Sequence, residues 1–204
     1  MHPVRFRLCM LLTRSLCVLP PVETLRRALE GGVDMVQLRE KEADSGSELL
    51  DWALVAHSIC KEVGVPLIIN DSVDLALAVD AEGVHLGQDD LHPDDARSLL
   101  GPDKLIGWSC HDLEQLDEAG DLGLDYAGYG PVYATATKGY NRGLGAESLL
   151  HACALARLPV LAIGGITVEN RGFLGEFAGV AVSSALCGAK EPEKVAQALL
   201  LPTV

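Results

Sequence analysis

The sequence is poor in aromatic residues, in positive charge and in long apolar runs. Phenylalanine, tryptophan and tyrosine make up 4% of its 204 residues, too few for the stacking platforms on which single-stranded nucleic acids bind. Lysine and arginine number 16 against 29 acidic residues, a formal net charge of −13. That charge argues against nucleic acid or an anionic membrane as the main partner. A few cations gathered in one cleft would still bind an anionic small molecule.

No apolar run reaches the roughly 20 residues that span a bilayer. The first 21 residues are interrupted by Arg5, Arg7 and Arg14 and contain no clear small-residue cleavage site, so we expect no signal peptide. The six cysteines are scattered, without a C-x-x-C pair. This spacing is typical of free thiols in a reducing cytoplasm and does not favour a thiolate metal site.

Short apolar runs alternate with amphipathic segments along the whole chain. The runs predict eight strands, at Phe6–Leu12, Met35–Leu38, Leu67–Ile69, Gly83–Leu86, Leu105–Trp108, Tyr126–Tyr129, Val160–Ile163 and Gly179–Val182. The segments predict helices at Val22–Glu30, Gly46–Val63, Val73–Val79, Pro93–Leu100, Leu113–Leu122, Ala146–Arg157, Val168–Phe177 and Pro192–Leu201. Such alternation is typical of α/β proteins with a parallel sheet. Eight units predict a (β/α)₈ TIM barrel, one compact domain over residues 1–204. An open doubly wound sheet is the structural alternative.

Polar residues follow nearly every predicted strand at its C-terminal end. In chain order they are Arg39 and Lys41, Asn70 and Asp71, Asp89 and Asp90, Ser109 and His111, Thr135 to Lys138, Gly164 and Gly165, and Ser183 and Ser184. In a barrel these ends meet on one face, where the active sites of this fold lie. Each group alone is also typical of an ordinary turn or solvated loop, but together they predict one site.

Three kinds of group meet on this face. Arg39, Lys41 and Lys138 are cations, and Asp71 and Asp90 are carboxylates, with Asp89 beside them as an alternative. The glycine and serine turns precede helices, and such turns bind phosphate through backbone N–H groups. Mg²⁺ typically takes one or two carboxylates and completes its shell with phosphate oxygens and water. The residues therefore predict a diphosphate held by cations and Mg²⁺, with a second phosphate near the last two strands.

Two histidines accompany these groups. His85 lies within a predicted strand, and we interpret it as a hydrogen-bonded core residue, not as a catalyst. His111 follows Ser109 near the rim, and we interpret it as an outer residue of the site.

The ordered set of motifs resembles the family of thiamine phosphate synthases and their sister group, the thiazole tautomerases. The resemblance runs from about residue 36 to 185. Its motifs are Val36–Lys41, Ile69–Asp71, Gly83–Asp90, Ile106–Ser109, Gly130–Lys138 and Ile163–Thr167. The resemblance implies the same barrel, joining hydroxymethylpyrimidine diphosphate and hydroxyethylthiazole phosphate into thiamine phosphate and diphosphate. In the family diphosphate leaves first, assisted by Mg²⁺, and the thiazole nitrogen captures the pyrimidine cation.

The resemblance also implies roles for individual residues. Those that would contact the pyrimidine diphosphate are Gln37, Arg39, Lys41, Asn70, Ser109 and Lys138. Among them, Lys138, Ser109 and Arg39 would be catalytic. Asp71 and Asp90 would hold Mg²⁺. Those that would hold the thiazole phosphate are Thr135, Thr137, Gly165, Ser183 and Ser184.

Two alternative functions remain at this point. A thiazole tautomerase moves a proton on a thiazole carboxylate phosphate and needs no Mg²⁺–diphosphate site. Some tautomerases have a histidine where this chain has Pro131. A regulatory barrel that binds thiamine precursors without turnover is the third reading. Asp71, Asp90 and Lys138 favour the synthase, a cytoplasmic transferase that acts on phosphorylated small molecules. The oligomeric state stays open, with a homodimer as one alternative.

Overall fold

Eight parallel strands form a closed barrel. The structure is a computed structural model that describes residues 6–40, 46–135, 141–175 and 178–200. The strands are β1 Leu8–Leu12, β2 Met35–Leu38, β3 Leu67–Asn70, β4 Gly83–Leu86, β5 Leu105–Cys110, β6 Tyr126–Tyr129, β7 Val160–Ile163 and β8 Gly179–Val182. Each strand pairs in parallel with the next, and β8 pairs with β1. The expected (β/α)₈ barrel is confirmed.

Helices connect the strands on the outside of the barrel. They are α1 Pro21–Glu30, α2 Gly46–Glu62, α3 Val73–Val79, α4 Pro93–Leu100, α5 Leu113–Asp121, α6 Ala146–Leu155, α7 Val168–Arg171, α8 Ser184–Cys187 and α9 Pro192–Leu200. Short 3₁₀ turns lie at Arg14–Leu16 and Gly172–Leu174. Within the described part of the chain, none of these helices combines the length and apolar character that a membrane crossing requires.

Several predicted elements differ from the structure by one or two residues at an end, the 3₁₀ turn at Arg14–Leu16 was not predicted, and two helical segments differ more. The helix predicted over Val168–Phe177 ends at Arg171 and continues as the 3₁₀ turn. There the Arg171 guanidinium donates to the Gly175 carbonyl at 2.7 Å, and Gly175 adopts a φ of 64° that ends the turn. Helix α8 was not predicted, because four residues are too few to show a helical period.

One apolar layer lies inside the barrel, and a second lies between the strands and the helices. Inside the barrel, side chains from most strands pack in one cluster, namely Phe6, Cys9, Leu11, Met35, Ile68, Tyr126, Leu161 and Ala181. The alternate positions of the same strands, such as Leu8 and Met10, pack outward against the helices. Because both faces are covered, the strands are mostly apolar, which is why the sequence predicts their positions.

Three carboxylates bind the backbone at the N-terminal rim of the barrel. Each immediately precedes an even-numbered strand and accepts from the first N–H groups of the strand before it. Asp34 accepts from Leu8 N at 2.9 Å and from Arg7 N at 2.8 Å. Glu82 accepts from Leu67 N, and Asp125 from Ile106 N, both at 2.8 Å. These bonds satisfy N–H groups that have no neighbour in the sheet.

We expect Asp34→Ala to destabilise the fold by about 1–3 kcal/mol, because it leaves two backbone donors unsatisfied, one of them on buried Leu8. Urea unfolding followed by circular dichroism measures this difference. The matched control is Asp103→Ala in the exposed loop after α4, which should change the unfolding free energy by less than about 0.5 kcal/mol. Equal stability of the two variants would contradict the role of the Asp34 carboxylate.

Candidate active site

An open cavity lies at the C-terminal ends of the strands, with about 780 Å³ of space between its walls when the adjoining open solvent is included. Eight of the predicted site residues line it, namely Gln37, Arg39, Asn70, Ser109, Thr135, Gly165, Ser183 and Ser184. Asp71 and Asp90 are not among the lining residues. Lys41, Thr137 and Lys138 lie outside the described residues. The convergence expected for this face is therefore found for eight of the ten predicted site residues that the structure describes, and the two exceptions are the predicted metal ligands.

Arg39 carries the one permanent positive charge among the described residues that line the cavity. Its backbone N–H donates to the Leu12 carbonyl at 2.9 Å, and its carbonyl accepts from the Thr13 hydroxyl at 2.9 Å. These two bonds hold the end of β2 against the end of β1. Arg39 as a residue is partly buried, and reduced solvent screening strengthens the attraction of a guanidinium for an anion.

Strand β7 ends in a glycine turn that lies against the loop after β6. Gly164 and Gly165 have φ values of 99° and 62°, a left-handed region that favours glycine. A Cβ on Gly165 would approach the Ala134 carbonyl to 2.4 Å, and one on Gly164 would approach Pro131 to 2.6 Å. The side chain of Asn170 donates to the Gly165 carbonyl at 2.8 Å and so stabilises the turn. Both glycines line the cavity, and turns of this kind bind phosphate through backbone N–H groups in other proteins.

The two predicted metal ligands lie on the loops that follow β3 and β4. Asp71 has a φ of 66°, and its N–H donates to the His85 carbonyl at 2.8 Å. The Asp90 carboxylate accepts from Gly87 N at 2.6 Å, and both Asp90 and its neighbour Asp89 are exposed. A group of three or more metal-ligating side chains does not occur among residues 6–40, 46–135, 141–175 and 178–200.

Both histidines line the cavity. His85 is buried, with 6% of its surface exposed, and both of its ring nitrogens are hydrogen-bonded, as expected for a core residue. His111 Nδ1 lies 2.6 Å from the Gly130 carbonyl, so that nitrogen is the donor. Sequence reasoning missed the contact of His85 with the cavity. The alternation along β4 contained the signal, because His85 stands between two outward-facing residues, Val84 and Leu86.

The cavity walls also contain apolar side chains and glycines, including Leu11, Ile163, Ala181 and Gly128. An arrangement with one cation, several neutral hydrogen-bonding side chains and apolar walls suits a ligand that combines phosphate with a heterocycle. Fold and site thus define a TIM barrel with a cavity at its C-terminal face, lined by Arg39 and several neutral hydrogen-bonding side chains.

Comparison with known proteins narrows this class. The sequence profile of the family described as thiamine monophosphate synthase matches residues 8–186. The thiamine-phosphate synthase of Chlorobium luteolum is 47% identical over 184 residues, which cover 88% of this chain and 86% of that protein. The chloroplastic thiamine biosynthetic bifunctional enzyme TH1 of Arabidopsis thaliana is 49% identical over 170 residues, 81% of this chain and 32% of that enzyme. This chain therefore spans about a third of the length of that bifunctional relative.

A solved structure agrees with these relatives. The thiamine phosphate pyrophosphorylase from Pyrococcus furiosus superposes with a TM-score of 0.85 at 36% identity, covering 95% of this chain and 93% of that one. The chain belongs to the thiamine monophosphate synthase family, and the resemblance noted from the motifs is confirmed.

We expect Arg39→Ala to weaken binding of inorganic diphosphate by roughly 10- to 100-fold, because a charge-assisted hydrogen bond in a partly buried site contributes about 1.5–3 kcal/mol. Isothermal titration calorimetry at fixed ionic strength measures the affinity. Arg26→Ala is the matched control, because Arg26 pairs with Glu62 on the outer surface, and its affinity should equal that of the unmodified chain. Unchanged affinity in Arg39→Ala would mean that the anion binds elsewhere.

Proposed function

We propose that this chain is a thiamine-phosphate synthase, a transferase that joins hydroxymethylpyrimidine diphosphate to hydroxyethylthiazole phosphate. The observation that carries the proposal is the cavity itself. It places Arg39 and the neutral donors Gln37, Asn70 and Ser109 in one space with the Gly164–Gly165 turn. Relatives named thiamine-phosphate synthase, 45–48% identical over most of this chain, support the same reaction.

In the proposed reaction the bond between the pyrimidine methylene carbon and the diphosphate oxygen breaks, and the electron pair leaves with diphosphate. The thiazole nitrogen then donates its lone pair to that carbon. The protein's task is to stabilise the departing polyanion and to exclude water, with no protein nucleophile required. We assign the first task to Arg39, Lys41 and Lys138, whose cations would meet the developing negative charge.

The neutral side chains would orient the pyrimidine half. Gln37 is 4% exposed, and Asn70 and Ser109 lie on β3 and β5 with their side chains on the cavity. Because these residues belong to strands and not to mobile loops, they would hold the reacting carbon in a constant position. We propose that the thiazole phosphate binds opposite them, at Thr135, Thr137, Gly165, Ser183 and Ser184.

The carboxylates Asp71 and Asp90 fit a magnesium ion by their donor chemistry. Both provide hard oxygen ligands on adjacent loops, and Mg²⁺ needs only one or two protein carboxylates when phosphate oxygens complete its shell. We propose that these two residues hold Mg²⁺, which would neutralise charge on the diphosphate. The bond from Gly87 N occupies part of the Asp90 carboxylate and would orient the remaining lone pairs.

The two alternatives are less consistent with these residues. A thiazole tautomerase has no need of paired carboxylates or of Lys138, and this chain has Pro131 where some tautomerases have a histidine. A precursor-binding regulatory barrel could bind with cations and glycines alone.

We also propose a cytoplasmic location for this one-domain chain, residues 1–204, because all six cysteines are free thiols. Light scattering decides between a monomer and a homodimer.

We expect purified protein to form thiamine phosphate from the two substrates in the presence of Mg²⁺ and to lose that activity in EDTA. Lys138→Ala should lower kcat by about 10²–10³, because it removes one donor to the leaving diphosphate. Chromatographic detection of the product measures both effects. Proton exchange on a thiazole carboxylate phosphate, without thiamine phosphate formation, would identify a tautomerase. Binding without either reaction would favour the regulatory reading.

We expect Asp90→Asn to raise the Mg²⁺ concentration needed for half-maximal turnover by roughly tenfold or more, because a neutral amide is a weaker ligand for this ion. Asp89→Asn is the matched control, since it removes one carboxylate from the same exposed loop and should leave the titration unchanged. If the two variants behave in the opposite way, Asp89 is the ligand.

A further inference from the structure

A chain of hydrogen bonds crosses the inside of the barrel beneath the cavity. His85 on β4 lies between two side chains, with its Nδ1 3.1 Å from the Tyr126 hydroxyl and its Nε2 3.0 Å from Ser109 Oγ. Tyr126 on β6 is 1% exposed. Ser109, the third member, reaches the cavity. These hydrogen bonds therefore connect a fully buried hydroxyl to a residue of the proposed substrate site.

Two glycines provide the space for the hydrogen-bonded side chains of His85 and Tyr126. A Cβ on Gly107 would lie 2.1 Å from the Tyr126 ring and 2.5 Å from its hydroxyl. A Cβ on Gly128 would lie 3.1 Å from the His85 ring. The two rings pack together with centroids 5.5 Å apart. Because β5 and β6 have glycine at these two positions, the barrel has room for both rings and restricts their orientation.

The protons on the Tyr126 hydroxyl and on the His85 ring determine which atom donates in each of the two hydrogen bonds. Burial raises the pKa of the Tyr126 hydroxyl well above its ordinary value, so it keeps its proton. A buried hydroxyl donor is costly unless it is hydrogen-bonded, and His85 Nδ1 lies 3.1 Å from this buried oxygen, so the single Tyr126 proton points to His85 Nδ1. A neutral imidazole that accepts at Nδ1 has its proton on Nε2 and donates from there. The acceptor of that bond is Ser109 Oγ.

We propose that His85 is a positioning residue that, as the neutral Nε2–H tautomer, donates to Ser109 and so directs the Ser109 proton into the cavity. Ser109 then acts as a hydrogen-bond donor to the diphosphate group of the pyrimidine diphosphate, because ionised phosphate oxygens accept hydrogen bonds and cannot donate them. In the opposite tautomer Ser109 would donate to His85 and present only lone pairs to an anion. The role of Ser109 toward this ligand rests on the proposed function, whereas the tautomer of His85 does not.

The tautomer is tested by nuclear magnetic resonance on ¹⁵N-histidine-labelled full-length protein without ligand. Two-bond ¹H–¹⁵N correlations distinguish the Nε2–H from the Nδ1–H form, and the His85→Gln variant assigns the signal among the six histidines. We expect the Nε2–H form. An Nδ1–H form or a doubly protonated ring overturns the proposal, and this result is independent of any enzymatic activity.

The positioning role is tested by Tyr126→Phe, which removes one hydroxyl and retains the packed ring. We expect a mixture of His85 tautomers and a rise of roughly 3- to 10-fold in KM for the pyrimidine diphosphate, the range for one neutral hydrogen bond. The KM for the thiazole phosphate should stay unchanged. Equal changes in both KM values, or a tautomer unaffected by the substitution, overturn the role.

Tyr129→Phe is the matched control. Tyr129 lies on the same strand, is also 1% exposed and also bonds a serine hydroxyl, Ser148 Oγ at 2.8 Å, but it faces the outer layer. We expect it to alter stability without altering the His85 tautomer or either KM. A KM effect as large as that of Tyr126→Phe would show that loss of any buried hydroxyl suffices, which contradicts the proposal. Absence of turnover in the unmodified protein would reject the proposed function and leave the tautomer to the spectrum.

Discussion

The backbone pairing between β8 and β1 closes the sheet, and every part of the site depends on it. Cys9 pairs with Ala181 and Met10 with Val182, so the last strand of the chain continues the order begun by the first. In an open sheet the ends of β1 and β8 would lie far apart. Closure brings Leu11 and Ser183 to the same cavity. It also explains why residues separated by most of the chain contribute to one ligand site.

The interior of the closed barrel has to fill space and serve a polar ligand at the same time. The lower part is filled by an apolar cluster that includes Phe6, Met35 and Ile68. Tyr126 belongs to both parts, because its ring packs edge-on against Phe6 with centroids 6.2 Å apart while its hydroxyl meets His85. A buried hydroxyl is costly unless it is hydrogen-bonded. The polar network is therefore the means by which the packed core changes into a binding site.

Much of the fold was predictable from the sequence for a physical reason. Strands covered on both faces are apolar at most positions, so segments such as Met35–Leu38 and Gly83–Leu86 were located with correct bounds. Helix α8 was not predicted, because a single helical turn is too short to show a helical period in the sequence. The set of residues at the strand ends was predictable because the barrel face collects them. The pairing of His85 with Tyr126 and Ser109 was not, since it depends on which side chains glycines leave room for.

The rim carboxylates divide the barrel into pairs of strands. Asp34 joins β1 to β2, Glu82 joins β3 to β4, and Asp125 joins β5 to β6. At the corresponding position before β8 stands Ala178, which has no carboxylate. Among the described residues, the last pair thus begins without the bond that the other three share, and local opening of the backbone would be least costly there. The same two strands end in the glycine turn and in Ser183. Opening of this strand pair would reach the proposed phosphate end of the cavity, where a bound ligand would oppose it.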